Sequence, residues 1–321
     1  MSGPVTIYYV PVTATPTLTP TPDSSWTPTP TITATLAIPH PYITQWGNAG
    51  TGPGEFLGPQ GICVNSAGTT VWVVDSNNYR VQYFSGSGTY LGQWGSYGTA
   101  DGQFYFPSAI CANSTATTFY VTDSTKNNVQ YFSPTGTYLG KWGTGGTGPG
   151  QLFGPRGIAT DSAGTTVWVA DSYYRVEYFS GTGSYLNQWG VTVGTTTGWP
   201  IGVAVNNAAT TVIVTDATND RIHFYGPTGI EYYLQGTSGS GNLQFEFPFL
   251  LGMDPSGNFL YVADSNNNRI QRLLSSGAYV DQIDGSSSGY PFNEPTGVAI
   301  DASNYLYVAD NNNCRIVKFG P

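Results

Sequence analysis

The chain has 321 residues, a formal net charge of −9 and only ten Lys and Arg residues. A protein that grips RNA or an anionic membrane surface needs a basic face, so this charge balance argues against both as partners. Hydrophobic residues make up 39 % of the chain, enough to form a core. The sequence contains no run that approaches the ~20 apolar residues of a membrane-spanning helix.

The first segment, residues 1–12, has the composition of an apolar strand, and we interpret it as a docking strand. Both of its faces are largely apolar, so it needs cover on both sides. The simplest host is a neighbouring copy of the protein, with the rim of its own chain's folded domain as the alternative. The expected interface residues are Val5, Ile7, Tyr8, Tyr9, Val10 and Val12.

Residues 13–41 form a Thr/Pro-rich segment that we predict to be an extended linker, with a disordered linker as the alternative. About 27 residues in polyproline II span roughly 80 Å, which is long enough to reach another subunit. The composition is typical of O-glycosylated stalks, and Asn113 begins an N-glycosylation pattern, so we expect an extracellular protein with glycans. The start Met-Ser-Gly-Pro-Val contains no signal peptide, which would fit a cytosolic or a processed chain. The candidate O-glycosylation sites are Thr13, Thr15, Thr17, Thr19, Thr21, Thr27, Thr29, Thr31, Thr33 and Thr35.

From residue 42 onward the chain repeats a pattern first seen in Val71-Trp-Val-Val-Asp75-Ser-Asn-Asn-Tyr-Arg80. Six units of about 47 residues, each with several short strands, have the size of propeller blades. Successive anchor aspartates are 48, 48, 45, 48 and 46 residues apart: Asp75, Asp123, Asp171, Asp216, Asp264 and Asp310.

Each unit is predicted to contain four strands. The first is short and apolar, the second is rich in β-branched and aromatic residues, the third begins with Arg, and the fourth ends with Trp in several units. The predicted first strands include 61–64, 157–160, 202–205 and 297–300; examples of the others are 167–170, 306–309, 221–224, 90–94, 138–142 and 185–189.

The sixth unit ends after its third strand, and a matching fourth strand lies upstream at residues 42–47. We therefore predict that an N-terminal strand completes the last blade and closes the ring, removing open sheet edges. The ring-closing residues are Tyr42, Ile43, Gln45 and Trp46.

The recurring Val-Ala-Asp-Ser-x-Asn-x-Arg-Ile and Gly-Ile-Ala patterns resemble NHL repeats over about residues 42–321. The Gly-His and Trp-Asp signatures of WD40 repeats are absent. Two units depart from the pattern: Asn128 stands where Arg is expected, and the third unit is one residue short before Arg175. The predicted fold is therefore all-β, a six-bladed β-propeller with four-stranded blades and an extended N-terminal Thr/Pro-rich arm.

We interpret the anchor aspartates as structural, each hydrogen-bonding the backbone of its turn, because residues repeated once per blade cannot converge on one metal ion. Half of the ten basic residues occupy one repeat position, which indicates internal pairing with carboxylates. These are Arg80, Arg175, Arg221, Arg269 and Arg315.

Nothing in the sequence points to an enzyme, a cofactor or a bound metal. Only two histidines are present, His40 ahead of the ring and His223 in a third strand, and the Gly-rich segment 143–150 lacks the Lys of a phosphate-binding loop. Cys63 and Cys111 occupy positions that suit a small buried side chain, and Cys314 lies in a turn.

These observations favour a non-enzymatic extracellular structural or interaction protein whose arm docks on a neighbouring subunit, giving a homo-oligomer or, if the contact does not close, a filament or surface layer. The alternative is a propeller that binds a carbohydrate or peptide. A hydrolase or lyase is the least favoured function.

Overall fold

The computed structural model describes residues 40–321, and in these residues the predicted six-bladed, all-β propeller is confirmed. The docking strand, its interface residues and the candidate O-glycosylation sites of the arm lie outside the described residues.

All six blades are antiparallel four-stranded sheets, each ordered from the axis outward. Blade 1 consists of β2 (Pro59–Val64), β3 (Thr70–Asp75), β4 (Arg80–Ser85) and β5 (Tyr90–Trp94); blade 2 of β6 (Pro107–Ala112), β7 (Phe119–Asp123), β8 (Asn128–Phe132) and β9 (Tyr138–Trp142); blade 3 of β10 (Pro155–Thr160), β11 (Thr166–Asp171), β12 (Arg175–Ser180) and β13 (Tyr185–Gly190); blade 4 of β16 (Pro200–Val205), β17 (Val212–Asp216), β18 (Arg221–Tyr225) and β19 (Glu231–Gln235); blade 5 of β22 (Pro248–Met253), β23 (Phe259–Asp264), β24 (Arg269–Leu274) and β25 (Tyr279–Ile283); and blade 6 of β26 (Pro295–Ile300), β27 (Leu306–Asp310), β28 (Arg315–Phe319) and β1 (Tyr42–Trp46).

The loops between blades contain two small two-stranded sheets, and three single turns are 3₁₀ helices. The small strands are β14 (Thr192–Val193), β15 (Thr196–Thr197), β20 (Thr237–Ser238) and β21 (Gln244–Phe245), and the 3₁₀ turns are Ser76–Asn78, Ser265–Asn267 and Ser286–Ser288.

The first strands begin two residues earlier than the sequence pattern predicts, at a proline rather than at the following glycine. In blade 1, Pro59 pairs with Asp75 and the register then shifts before Ile62 pairs with Val73. The proline lacks an N–H group and normally marks a strand boundary, but here it precedes a β-bulge at which it needs no ladder bond.

The predicted ring closure is confirmed. Strand β1 pairs antiparallel with β28, Gln45 opposite Val317 and Trp46 opposite Ile316. Trp46 also packs on blade 1: its ring lies 5.9 Å from that of Phe84. A Cβ atom on Gly88, whose φ is +92°, would lie 2.7 Å from the indole, so this turn needs glycine for both conformation and close approach.

The propeller has two faces, which we name by their connections. The turn face carries the turns between first and second and between third and fourth strands; the loop face carries the turns between second and third strands and the loops between blades. The innermost strands contact one another around the whole ring, β26 with β2 included.

The expectation that closure removes open sheet edges is wrong. In each of the six described blades the fourth strand has only one hydrogen-bonded neighbour in its sheet. Hydrogen bonds in a propeller run within blades and not between them, so closing the ring completes blade 6 but leaves six outer edges facing outward.

Candidate functional site

The six anchor aspartates are fully buried, and each fixes the loop that leads into its own blade. Every one accepts a hydrogen bond from a backbone N–H one or two residues before the proline of the first strand, at 2.7–3.0 Å. The expected bonds to the following turn occur at Asp123, Asp171 and Asp216. The six carboxylates therefore hold six separate loops. The donors are Leu57, Tyr105, Phe153, Trp199, Glu246 and Asn293.

In four blades the repeated arginine pairs with the anchor aspartate. Arg80 Nε lies 2.8 Å from Asp75 Oδ2, and the other guanidinium nitrogens donate to the carbonyls of Thr51, Gly52 and Glu55. Burial raises the pKa of Asp75, although hydrogen bonds from Asn78, Leu57 and Arg80 oppose it. The paired arginine thus fixes the inter-blade loop through hydrogen bonds to its backbone carbonyls. The other three pairs are Arg175–Asp171, Arg269–Asp264 and Arg315–Asp310.

In blade 2, where Asn128 replaces the arginine, a lysine from another position reaches the same acceptors. Lys126 Nζ lies 3.2 Å from the carbonyls of Thr99 and Ala100 and 2.9 Å from that of Gln103. These carbonyls are the equivalents of those of Thr51, Gly52 and Glu55, to which Arg80 donates in blade 1. The repeat alignment does not show this exchange, because the lysine lies two residues before the arginine position.

In blade 4 the expectation that Arg221 pairs with a carboxylate is wrong. Arg221 donates to the carbonyl of Gly236 instead, and His223 occupies the place beside Asp216. His223 Nε2 lies 3.3 Å from Asp216, and Nδ1 lies 2.7 Å from Glu231. Both ring nitrogens of His223 therefore lie beside carboxylates, and the Tyr225 hydroxyl lies 3.1 Å from Nδ1. Burial raises the pKa of Asp216, but hydrogen bonds from His223 and Asn219 outweigh it and lower that pKa.

Blade 3 holds a carboxyl group where blades 1, 2 and 5 hold an amide. Glu177 is fully buried, with Arg175 Nη1 3.1 Å from its Oε1. Burial, with Asp171 nearby, raises the pKa of Glu177 to about 7, even though Arg175 opposes the change. This blade therefore carries a group that titrates near neutral pH.

The ring closure uses His40 as well as the predicted strand. Its Nδ1 donates to the carbonyl of Gly320 at 2.7 Å, and Arg272 of blade 5 lies 3.1 Å from its Nε2. Burial lowers the pKa of His40, opposed by the bond to Gly320. Among the strand residues, Gln45 accepts from Arg315 at 2.6 Å, whereas Ile43 is exposed.

A cavity of about 560 Å³ opens around the axis on the turn face. Cys63 and Cys111 line it and are half-buried rather than fully buried as expected. Burial raises the pKa of Cys63 to about 12 and raises that of Cys111 well above its usual value, so both thiols stay protonated and are poor nucleophiles. The side chain of Asn113 at the rim is held in its own turn by bonds from the backbone of Thr117.

Exposed and half-buried aromatic residues lie on the loop face of blades 1 to 4, and we call them the aromatic surface. Tyr97, 62 % exposed, lies 4.9 Å from Tyr79 and 5.0 Å from Tyr105 between ring centres. Phe153, 54 % exposed, contacts Tyr173. These positions vary between repeats, so the repeat pattern did not identify them. The aromatic surface comprises Tyr79, Tyr97, Tyr105, Phe153, Tyr173, Tyr174 and Trp199.

The arrangement offers little for catalysis. No group of three or more His, Cys, Asp or Glu side chains in residues 40–321 is placed to hold a metal ion. His223 and Asp216 are within hydrogen-bonding distance, but both are fully buried, so a substrate cannot reach them. In the same part of the chain, no helix is long and apolar enough to cross a membrane.

Comparison with known proteins agrees with this fold. The NHL repeat family model matches residues 56–84 and 292–319, and the LVIVD repeat model matches residues 255–268. No curated protein matches the chain.

Solved structures resemble it in fold alone. A structural genomics protein of unknown function from Bacteroides thetaiotaomicron has 16 % identity and a TM-score of 0.67, covering 86 % of this chain and 76 % of its own. A chain of a nidogen/laminin complex has 18 % identity and a TM-score of 0.58, covering 75 % and 84 %. Because 1694 chains match, the fold by itself does not select a function.

Proposed function

We propose that this chain, which is an NHL-repeat six-bladed β-propeller, is a non-catalytic interaction module that binds a partner protein on its loop face. The observation that carries the proposal is the aromatic surface. Large exposed aromatic groups cost solvation free energy, and clustered on one face they are typical of binding surfaces.

The rigidity of the loop face also supports binding. The inter-blade loops are fixed by the buried aspartates and by the Arg and Lys side chains below them, so Tyr97 and Phe153 stand on a preorganised base. A preorganised surface loses less conformational entropy on association. NHL-repeat propellers are generally non-catalytic, and one structural neighbour was solved in a complex of two proteins, nidogen and laminin.

The test is selection of displayed random peptides on the purified full-length chain. Enriched peptides should lose binding to a variant with Tyr97→Ser, Phe153→Ser and Tyr173→Ser. They should keep binding to a control with Leu91→Ser, Leu139→Ser and Leu186→Ser, which changes side chains about 50 % exposed on the outer strands. Failure to enrich any peptide, or equal binding to both variants, would refute the proposal.

We further propose that residues 1–12 dock on a neighbouring copy, as the sequence suggests, and that the host is the outer edge of blade 4. Strand β19 is the most exposed outer strand, with Tyr232 55 % exposed and Ile230, just before it, 68 % exposed. An apolar strand can add to such an edge through main-chain hydrogen bonds.

Size-exclusion chromatography and negative-stain imaging test the docking. Ile7→Asp with Tyr9→Asp should give monomers, and Tyr232→Lys with Ile230→Lys should do the same. Thr17→Asp with Thr19→Asp adds the same charge as the first pair to the linker and should leave the assembly unchanged. Unaltered assembly of both strand variants would contradict docking.

Extracellular location and glycosylation of the arm are part of the same proposal and rest on the Thr/Pro composition alone. Protein from its native source should exceed the bare mass of 34.2 kDa. A measured mass equal to that value would argue against a glycosylated stalk.

A further inference from the structure

We infer that Arg156, on the loop face beside Trp199, is a recognition residue for a single carboxylate of the bound partner. This inference rests on the proposed function, since it names the chemistry that the same face recognises.

The position of Arg156 places it at the axis end of the loop face. It is the second residue of β10, the innermost strand of blade 3. The guanidinium carbon lies 5.8 Å from the centre of the Trp199 ring, and the Trp199 indole N–H donates to Ser172 at 3.1 Å. The indole is therefore held in place, and it stacks against one side of the guanidinium.

Arg156 differs from every other basic residue of the chain. The other nine Lys and Arg side chains, all within residues 40–321, donate at least one hydrogen bond to a carboxylate, amide or carbonyl. Among residues 40–321, Arg156 has no carboxylate within ion-pair distance, and its buried Nε–H has no acceptor. A buried donor without a partner costs free energy, and burial lowers the pKa of this guanidinium. Nothing in the described chain repays that cost.

The equivalent position in blade 1 has a second unsatisfied polar group. Gln60 is also the second residue of its innermost strand, and its buried Oε1 accepts no hydrogen bond. Both unsatisfied groups thus belong to the ring of six positions around the loop-face end of the axis. One offers donors to an anion and the other an acceptor to an N–H group, and a peptide segment carries both.

The single positive charge of the Arg156 guanidinium favours one carboxylate over a phosphate as its ligand. A guanidinium binds a carboxylate through two parallel N–H···O bonds, and their charges cancel one to one. A phosphate monoester carries up to two charges at neutral pH, whereas each of the other nine Lys and Arg side chains already donates to an acceptor within residues 40–321. Phe153 and Tyr173, which contact each other, are exposed on the loop face of the same blade, so an apolar neighbour of the acidic residue has a surface to contact there.

The test is an NMR titration of the full-length chain labelled with ¹⁵N-arginine and ¹⁵N-tryptophan. The probes are the blocked tripeptides acetyl-Leu-Glu-Leu-amide and acetyl-Leu-Gln-Leu-amide, which differ in one charge. The Glu peptide should shift the Arg156 Nε–H and Trp199 indole N–H signals saturably, and it should bind about tenfold or more tightly than the Gln peptide.

Variants separate this inference from its premise. Arg156→Gln should abolish the preference for the Glu peptide, Arg156→Lys should retain part of it, and the control Arg221→Gln should leave it intact. Equal affinity for the two peptides, an unchanged preference in Arg156→Gln, or no shift at any concentration would overturn the inference. Selected peptides that depend on Tyr97, Phe153 and Tyr173 but not on Arg156 would refute the carboxylate site while the interaction module stands.

Discussion

Replacing Glu177 by Gln should stabilise the propeller at and above neutral pH, because it removes a carboxylate that ionises in a buried site. In blades 1, 2 and 5 the corresponding glutamine donates its amide to a loop carbonyl: Gln82 to Glu55, Gln130 to Gln103, and Gln271 to Gln244, at 2.6–2.8 Å. A carboxylate cannot donate in this way, whereas a protonated carboxyl group can.

The magnitude follows from the pKa of Glu177, which burial raises from 4.5 to about 7 in the folded chain. One pKa unit corresponds to about 1.4 kcal/mol, so ionisation of this group lowers the free energy of unfolding by up to about 3 kcal/mol. The sign is fixed by the raised pKa. The folded state holds the proton more tightly, so stability is fully present below pH 4.5 and is lost as the pH rises through about 7.

The assay is urea unfolding followed by tryptophan fluorescence at pH 5, 6, 7 and 8, comparing Glu177→Gln with the wild type at each pH. The difference should be small at pH 5 and grow to 1–3 kcal/mol at pH 8, while other titrating groups cancel in the comparison. The reciprocal control, Gln271→Glu in blade 5, should be destabilised with the same pH profile. A difference that does not change with pH, or a Gln variant less stable at pH 8, would refute the reasoning.

Three further predictions concern ring closure and the inter-blade loops. Deletion of residues 1–37 should leave a folded propeller, whereas deletion of residues 1–47 removes β1 and His40 and should abolish the cooperative thermal transition; equal midpoints would contradict the role of the closing strand. His40→Gln should lessen the loss of stability as the pH falls below about 6.5, because burial lowers the pKa of His40 and the folded state resists its protonation. The check is a set of unfolding curves for variant and wild type from pH 7.5 to 5.5. The same dependence of the free energy of unfolding on pH in both proteins would count against it. Lys126→Met should lower the free energy of unfolding by about 1 kcal/mol through lost hydrogen bonds to loop carbonyls. Arg80→Met should lower it by about 3 kcal/mol or more, because Asp75 is then left buried without its cation. Similar losses for the two variants in chemical denaturation would contradict this difference in role.

The sequence by itself determined the architecture. Six copies of one pattern, a fourth strand missing after Phe319 and a matching one at Tyr42 were sufficient to predict six blades and their closure. The reason is that blade formation depends on local alternation of apolar residues and on short turns, and these recur in every unit. The strand starts at Pro59 and its equivalents were missed because a bulge lets a proline join a sheet where its residue type normally marks a boundary.

Only the tertiary structure decided which charged and polar groups meet. Lys126 takes the role of the arginine that its own repeat lacks at Asn128, His223 displaces Arg221 from Asp216, and His40 reaches blade 5 from outside the repeat. Each contact joins residues at different offsets or far apart in the chain, so a repeat alignment does not relate them. The same holds for Arg156. In the sequence nothing distinguishes it from a surface arginine, and only the folded structure places its buried Nε–H without an acceptor among residues 40–321. Periodic patterns encode where strands lie, whereas ion pairs and unsatisfied donors depend on distances that only the folded ring sets.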